Sequence, residues 1–329
     1  MESNFITSII VVRNEEDYIE ICLRSLIEQD YPNSKYEIII VDGDSDDKTL
    51  DLINKTIQQY DKHNLPNIRI MNNPKRNLAS GWNIAIQNAV GEYTVRIDAH
   101  SKANKDFISK SMETMQNVKD ACCVGGLLTT KSLTPTGETI SKVLSSPFGI
   151  GNSKFRYSSK AQYTDTVAFG LYRKSIFEKV GYFDETLARN QDNNMHARIR
   201  NSGGKFYFNP DIKCVYYSRD SCKKMIKQAY LNGKWNIITA KINRSAVSIR
   251  HLVPLAFVIS LILLISLSLI NKYFIYLLFL ELIAYVLCAI IFALKKTRNL
   301  IEVIKMIVLY FSLHISYGIG SLSSILKVK

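Results

Sequence analysis

The sequence predicts an α/β domain with a mainly parallel sheet, followed by C-terminal membrane helices. Three observations carry this reading. Short apolar runs alternate with segments of helical spacing from Phe5 to Asp98. Three of the four expected strands end in polar clusters. After Arg250, long runs almost free of charge take over.

Phe5 to Val12 is a β-rich apolar run, long enough for a buried strand. Glu15 to Gln29 carries Ile19, Cys22, Leu23, Leu26 and Ile27 at helical spacing, and Tyr31-Pro32-Asn33 ends it. Tyr36 to Val41 is a second strand, running into the acidic loop Asp42 to Asp47. Leu50 to Tyr60 reads as helix, Ile68 to Met71 as strand, Leu78 to Val90 as helix, and Tyr93 to Ile97 as strand ending at Asp98. Continuous apolar strands separated by crossover helices build a parallel sheet buried on both faces. Ligands bind beyond the carboxyl ends of such strands. The clusters Arg13-Asn14-Glu15, Asp42 to Asp47 and Asp98-Ala99-His100 should therefore converge on one site.

From Cys122 to Arg219 the pattern is less regular, and Gly125-Gly126, Pro135, Pro147, Gly149 and Gly151 are expected in loops. Leu252 to Ile270 and Tyr273 to Leu294 are each about the ~20 apolar residues that cross a bilayer, interrupted only by Glu281 in the second. Asn271-Lys272 turns between them, and Lys295, Lys296 and Arg298 follow, so a hairpin with cytoplasmic ends is expected. Val303 to Leu326 is more polar and reads as a third span or an interfacial helix. Two spans plus an interfacial helix would keep Lys327 and Lys329 cytoplasmic. The expected domains are a cytoplasmic catalytic domain, 1–245, and a membrane region, 246–329.

The chain has 329 residues, is 47% hydrophobic and carries a formal charge of +13. Twelve Lys/Arg lie between Arg198 and Arg250, opposed only by Asp211 and Asp220. A basic collar beside a membrane segment suits anionic lipid. No nucleic-acid motif accompanies it, so nucleic acid is not an expected partner. The six cysteines form no CxxC pair, which excludes a zinc site and a disulfide framework of the usual kinds. The start Met1 to Asn4 is polar and the next apolar run stops at Arg13, which is not the pattern of a signal peptide.

Three clusters can carry chemistry. The acidic loop is either a solvated turn, with Asp47 or Ser45 capping the next helix, or a carboxylate held out to a nucleotide base. Asp98-Ala99-His100 is either a surface turn or a pair of ligands for one cation, Mg²⁺ or Mn²⁺, the imidazole favouring Mn²⁺. Asn190-Gln191-Asp192-Asn193-Asn194 either starts a helix, with Asp192 at its positive end, or offers Asp192 as a general base.

In order along the chain stand Val11-Val12-Arg13-Asn14-Glu15-Glu16, Val41 to Thr49, Asn83, Gly91-Glu92-Tyr93, Asp98-Ala99-His100, Gly181 to Glu185 and Gln191-Asp192. Together they resemble the motifs of family 2 glycosyltransferases over about residues 5 to 240. Ser146-Pro147-Phe148-Gly149, Asp165 to Gly170, Arg189 to Asp192 and His314 to Gly320 are most similar to bacterial succinoglycan-type exopolysaccharide enzymes. The resemblance implies a GT-A-like, Rossmann-type nucleotide-sugar-binding domain and transfer with inversion. It implies that Val11, Arg13, Glu15 and Arg76 line the nucleotide pocket, that Asp42 contacts the base, and that Asp98 binds the donor and a metal with His100. Asp192 would be the base. Val11 departs from the family's usual proline and His100 from its second metal-motif Asp. Gln228 opens no Gln-x-x-Arg-Trp motif, which disfavours a processive synthase.

The implied partners are a nucleotide sugar, first of all a UDP-sugar, a divalent cation, a polyprenyl-linked saccharide acceptor, membrane lipids and other polysaccharide-assembly proteins. The expected location is the cell membrane, multi-pass, with the catalytic domain facing the cytoplasm. The rival functions are a processive synthase and a non-catalytic nucleotide-sugar-binding subunit.

Overall fold

The structure is a computed structural model and describes residues 4–326 except Leu133, Asn152 and Arg219. Arg219 of the basic run, and the Lys327 and Lys329 used to argue topology, lie outside the described residues. The chain divides into two compact units: residues 1–129 with 154–216, and residues 130–153 with 217–329.

The first unit opens with β1 (Ile6–Val12), α1 (Ile19–Ile27), β2 (Tyr36–Asp42), α2 (Thr49–Gln58), β3 (Asn67–Asn72), α3 (Leu78–Asn88) and β4 (Tyr93–Asp98), as the apolar pattern predicts. β5 (Ser101–Ala103), α4 (Phe107–Asn117) and β6 (Ala121–Lys131) follow. Two helices of the second unit, α5 (Pro135–Leu144) and α6 (Pro147–Ile150), come next in the chain. The first unit resumes with β7 (Gln162–Thr164), β8 (Ala168–Arg173), α7 (Ser175–Val180), α8 (Gln191–Asn201) and β9 (Lys205–Tyr217).

The strands form one sheet in the order β3-β2-β1-β4-β8-β6-β9-β5, with β7 on β9. β1, β2, β3 and β4 pair in parallel, while β4–β8, β6–β8, β5–β9 and β7–β9 are antiparallel. The parallel half positions the site. Val12 pairs with Asp42, Asp42 with Asn72, and Val11 with Asp98, so these strand ends stand nearly level. Both faces of β1, β2 and β4 are covered, while β3 is a more exposed edge strand. Ile6 and Ile10 pack with Leu23 and Leu26 of α1 and Phe107 of α4, whereas Ile9 packs with Trp82 and Ala85 of α3 and Met195 of α8. Burial on both faces explains the apolar runs of β1 and β2.

Three places expected in loops take other forms. Gly125 and Gly126 lie inside β6, and a Cβ on Gly126 would collide with the backbone of Ile212 on β9. The glycines serve close strand approach rather than a turn. Pro135 and Pro147 each begin a helix, behind the N-caps Thr134 and Ser146, where a missing N–H costs nothing.

The second unit adds α9 (Cys222–Ile242), α10 (Val253–Ser268), α11 (Tyr273–Leu294) and α12 (Leu300–Leu326). Its second segment begins at Tyr217 and takes in α9. The reason is a glycine seam. A Cβ on Gly233 would collide with the carbonyl of Tyr317, and one on Gly320 with that of Tyr230. Ser321 Oγ donates to the Gly233 carbonyl at 3.1 Å, and Tyr230 and Ser323 hydroxyls meet at 3.0 Å. The residues quoted from 146–149 and 314–320 meet here too: His314 Nε2 donates to the Phe148 carbonyl at 2.9 Å, and its Nδ1 accepts from Tyr285 at 2.8 Å.

α11, with 22 residues, and α12, with 27, are long and apolar enough to cross a membrane. α10, at 16 residues, is shorter than the expected span because its helix stops at Ser268. Leu263, Ile265, Leu280 and Leu287 are each more than half exposed, an apolar surface of the kind that meets lipid.

Candidate active site

The turn after β1 and the loop after β2 are bonded to each other. Asn14, held at φ 55°, donates from Nδ2 to Asp46 Oδ1 at 2.6 Å and accepts from the Asp46 N–H at 3.0 Å. Its own N–H donates to Ser45 Oγ at 3.0 Å. The Glu15 N–H donates to Thr49 Oγ1 at 2.8 Å. Gly43 N–H reaches the Val12 carbonyl at 2.8 Å, and Asn73 N–H the Asp42 carbonyl at 2.7 Å. Three strand ends thus form one backbone rim.

The expected pocket residues lie along this rim. Asp42 is buried, and its carboxylate accepts the Ser45 N–H at 3.1 Å and hydroxyl at 2.6 Å. Ser45 therefore orders Asp42 instead of capping the next helix; Asp47 bonds the Thr49 N–H at 2.9 Å. Arg13 is exposed and lies over Gly43. Arg76, at φ 53°, holds Asp44 by an ion pair. Val11 packs towards α3, where a Cβ on Gly81 would press into it. Its side chain, partly exposed, supports the rim from the α3 side.

Asp98 ends β4, partly exposed. His100, two residues on, is engaged elsewhere. Its Nδ1 faces Glu15 Oε1 at 3.3 Å, with the ring edge-on to Tyr216. Burial pulls the imidazole down, but the Glu15 hydrogen bond, with Tyr216 and Asp98 nearby, pushes it up to about 10. Among the described residues no three His, Cys, Asp or Glu side chains are grouped to hold a metal. A lone strand-end carboxylate still fits a cation held mainly by substrate phosphates, since Mg²⁺-type sites use one or two carboxylates and take further oxygens from the phosphates.

Asp192 lies in the first turn of α8, behind Asn190 at φ 60°. Its Oδ1 accepts the Asn193 N–H at 2.9 Å, and its Oδ2 faces Arg96 Nη2 at 3.9 Å. Below it, His196 is buried between the Tyr172 hydroxyl, 2.6 Å from Nε2, and Thr166 Oγ1, 2.7 Å from Nδ1. Burial, with Arg96 and Arg200 assisting and Asp192 opposing, pushes the His196 imidazole down to about 3. It is a neutral strut. Asn83 joins the Gly181–Glu185 motif to α3, with bonds to the Phe183 N–H at 2.8 Å, the Phe183 carbonyl at 2.9 Å and Glu185 Oε1 at 2.9 Å.

Sequence reading missed Arg96, Trp82, Tyr172 and His196. Arg96 was the findable one: a charged residue within a strand buried on both faces, two positions before Asp98 and so on the same face. The basic run also divides. Arg198 donates to the carbonyls of Val180 at 2.7 Å and Tyr182 at 2.6 Å, and Lys205 pairs with Asp120 at 2.8 Å. These cations hold the first unit together, while Lys223 to Lys241 lie on α9.

Residues 7–181 match the family described as glycosyl transferase family 2. The dolichyl N-acetyl-alpha-D-glucosaminyl phosphate 3-beta-D-2,3-diacetamido-2,3-dideoxy-beta-D-glucuronosyltransferase of Methanococcus voltae is 34% identical over 96% of this chain and 96% of its own length. The succinoglycan biosynthesis protein ExoA of Rhizobium meliloti is 25% identical over 76% of this chain and 75% of its own. Among solved structures, the mannosyltransferase PcManGT of Pyrobaculum calidifontis, in complex with GDP-Man and Mn²⁺, superposes with a TM-score of 0.61 at 18% identity, covering 96% of this chain and 86% of that one. At that identity the likeness speaks for the GT-A fold.

Proposed function

The chain belongs to glycosyl transferase family 2, and on that premise we propose that it transfers a sugar from a UDP-sugar to a hydroxyl of a polyprenyl- or dolichyl-phosphate-linked saccharide. The observation that carries the acceptor class is the end-to-end match to the Methanococcus voltae enzyme, whose name specifies such an acceptor. The apolar, exposed helices α10 and α11 support it, because a lipid-linked substrate must be met at a membrane.

The donor's base lies against Asp42 on the rim of the first three strand ends, and Arg13 and Arg76 flank it. A divalent cation bound with the donor neutralises its diphosphate. Asp98 is the residue that would hold it, and Glu15 is kept oriented by His100. Asp192 takes the proton from the acceptor hydroxyl as that oxygen attacks the anomeric carbon. The bond from that carbon to the nucleotide diphosphate breaks in the same displacement, which inverts the configuration. The catalytic unit faces the cytoplasm. α10 and α11 form an inserted hairpin, α12 lies along the interface with α9, and the Lys residues of α9 meet anionic lipid.

The test uses the full-length chain in detergent with a panel of UDP-sugars, acetamido-uronic ones included, and a polyprenyl-phosphate N-acetylglucosamine acceptor. Transfer with Mn²⁺, lost in EDTA and lost in Asp98→Ala, is the expected result. Full transfer in EDTA removes the cation from the scheme. No transfer from any donor to the lipid-linked acceptor, beside transfer to a water-soluble sugar, overturns the acceptor class.

A further inference from the structure

Arg96 is a costly residue to place where it is. It sits in the middle of the sheet on β4, only 8% exposed, among Ile9, Trp82, Tyr172 and Phe183. Its guanidinium lies 3.7 Å above the Trp82 ring and 5.6 Å from that of Phe183. Stacking on an indole face attracts a cation but does not satisfy its N–H groups. Among the described residues Nε and Nη1 are buried without a hydrogen-bond partner. Leu or Met would fill this space at lower cost, since a buried charge destabilises unless paired. Among the described residues Asp192 has the one carboxylate within ion-pair distance, at 3.9 Å from Nη2.

We propose that Arg96 is a positioning residue for the proton-accepting carboxylate of Asp192. The two oxygens of Asp192 are then separately constrained. Oδ1 is tied to the Asn193 N–H of its own helix, and Oδ2 is turned towards the sheet by Arg96. Arg96 is itself held by a wall that cannot easily shift. Trp82 packs on Phe183 with ring centroids 4.8 Å apart, and the backbone of Phe183 is clamped by Asn83. The chain of contacts runs from α3 through the aromatic pair and β4 to the first turn of α8. Arg96 also shares its strand face with Asp98, so a single strand sets the position of the base relative to the donor end of the site. A base displaced by about 1 Å loses about 10²-fold in rate, which gives this fixing its purpose.

The inference rests on the reading of Asp192 as the base, and the experiment separates the two. Full-length Arg96→Met, Arg96→Lys, Asp192→Asn and the Arg96→Met/Asp192→Asn pair are compared with the parent chain. Binding of UDP with Mn²⁺ is measured by calorimetry, and kcat and KM with whichever panel UDP-sugar the parent turns over. The expected result is a kcat about 10²-fold lower in Arg96→Met, with UDP affinity and donor KM unchanged. Lysine, which keeps the charge but loses the flat fork, should recover part of the rate. The double variant should be no slower than Asp192→Asn alone, because both changes disable one device. Normal kcat in Arg96→Met, a raised KM at normal kcat, or losses that multiply in the double variant each overturn the positioning role and leave the base reading standing. Near-normal kcat in Asp192→Asn, or no turnover of any donor by the parent chain, overturns the base reading and this inference with it. If Arg96→Met fails to bind UDP, Arg96→Lys combined with Asp192→Asn decides by the same comparison.

Discussion

Asn83 and Phe183, a hundred positions apart, are joined by two hydrogen bonds: the Asn83 amide donates to the Phe183 carbonyl at 2.9 Å and accepts the Phe183 N–H at 2.8 Å. One side chain thus replaces a piece of strand pairing and fastens the segment leading to α8 onto α3. Asn83→Ala leaves both backbone groups buried without partners, at about 1–3 kcal/mol for each group. Denaturant unfolding should show a lowered midpoint. Turnover should fall as well, since Phe183 is part of the wall behind Arg96.

Asp192→Asn separates a base from a helix-start residue. An amide suits the first turn almost as well and keeps its hydrogen bond to the Asn193 N–H region of the helix, but it cannot accept a proton at neutral pH. Donor affinity should stay near normal while turnover falls about 10²–10⁴-fold. Near-normal turnover would end the assignment.

His196 gives the first unit an acid sensitivity. Its imidazole is pushed from an ordinary 6.5 down to about 3 by burial, so the unfolded chain binds this proton more readily than the folded one. The stability it contributes is complete above about 6.5 and is lost as pH falls towards 3. Over that window the folded-to-unfolded ratio should drop by up to about tenfold per pH unit from this group alone. His196→Asn removes that component. Unfolding midpoints measured from pH 7 to 4 should fall less steeply in the variant, whatever its stability at pH 7, and parallel slopes would contradict the assignment.

The α9–α12 seam depends on missing side chains. Gly320→Ala places a methyl against the Tyr230 carbonyl and should destabilise the second unit by about 1–3 kcal/mol. The adjacent Ile319→Ala, at a position 45% exposed, should cost less. Thermal unfolding in detergent compares the two.

Membrane insertion predicts resistance to salt. The full chain should remain in the membrane through high-salt and carbonate washes, because apolar contact is not screened by ions. A chain ending near Arg244 should be released at least in part. Release of the full chain by salt alone would contradict insertion of α10 and α11.

The first seven elements were legible because a parallel strand buried on both faces and an amphipathic helix each leave a local apolar signature, as in Ile6–Val12 and Ile19–Ile27. The strand-end clusters were legible for a related reason: where a strand ends, polarity begins. Asp42 and Asp98 were therefore named from sequence, and Asp192 from a polar run at the start of a helix. Gly125 and Gly126 were read as loop residues, and the seam of Gly233 and Gly320 was not legible, because the purpose of each is a distant backbone passing close by.

By itself, then, the sequence determined the order of elements, the apolar C-terminal helices and the family, all properties carried by periodicity and local motif. Only the tertiary structure decided what each polar side chain faces. It turned His100 onto Glu15, set Arg96 between Trp82 and Asp192, buried His196 under the first turn of α8, and split the basic run between two units. Those outcomes follow from pairings across dozens of residues, and the energy of a buried charge or hydrogen bond depends on its partner, which no local pattern records.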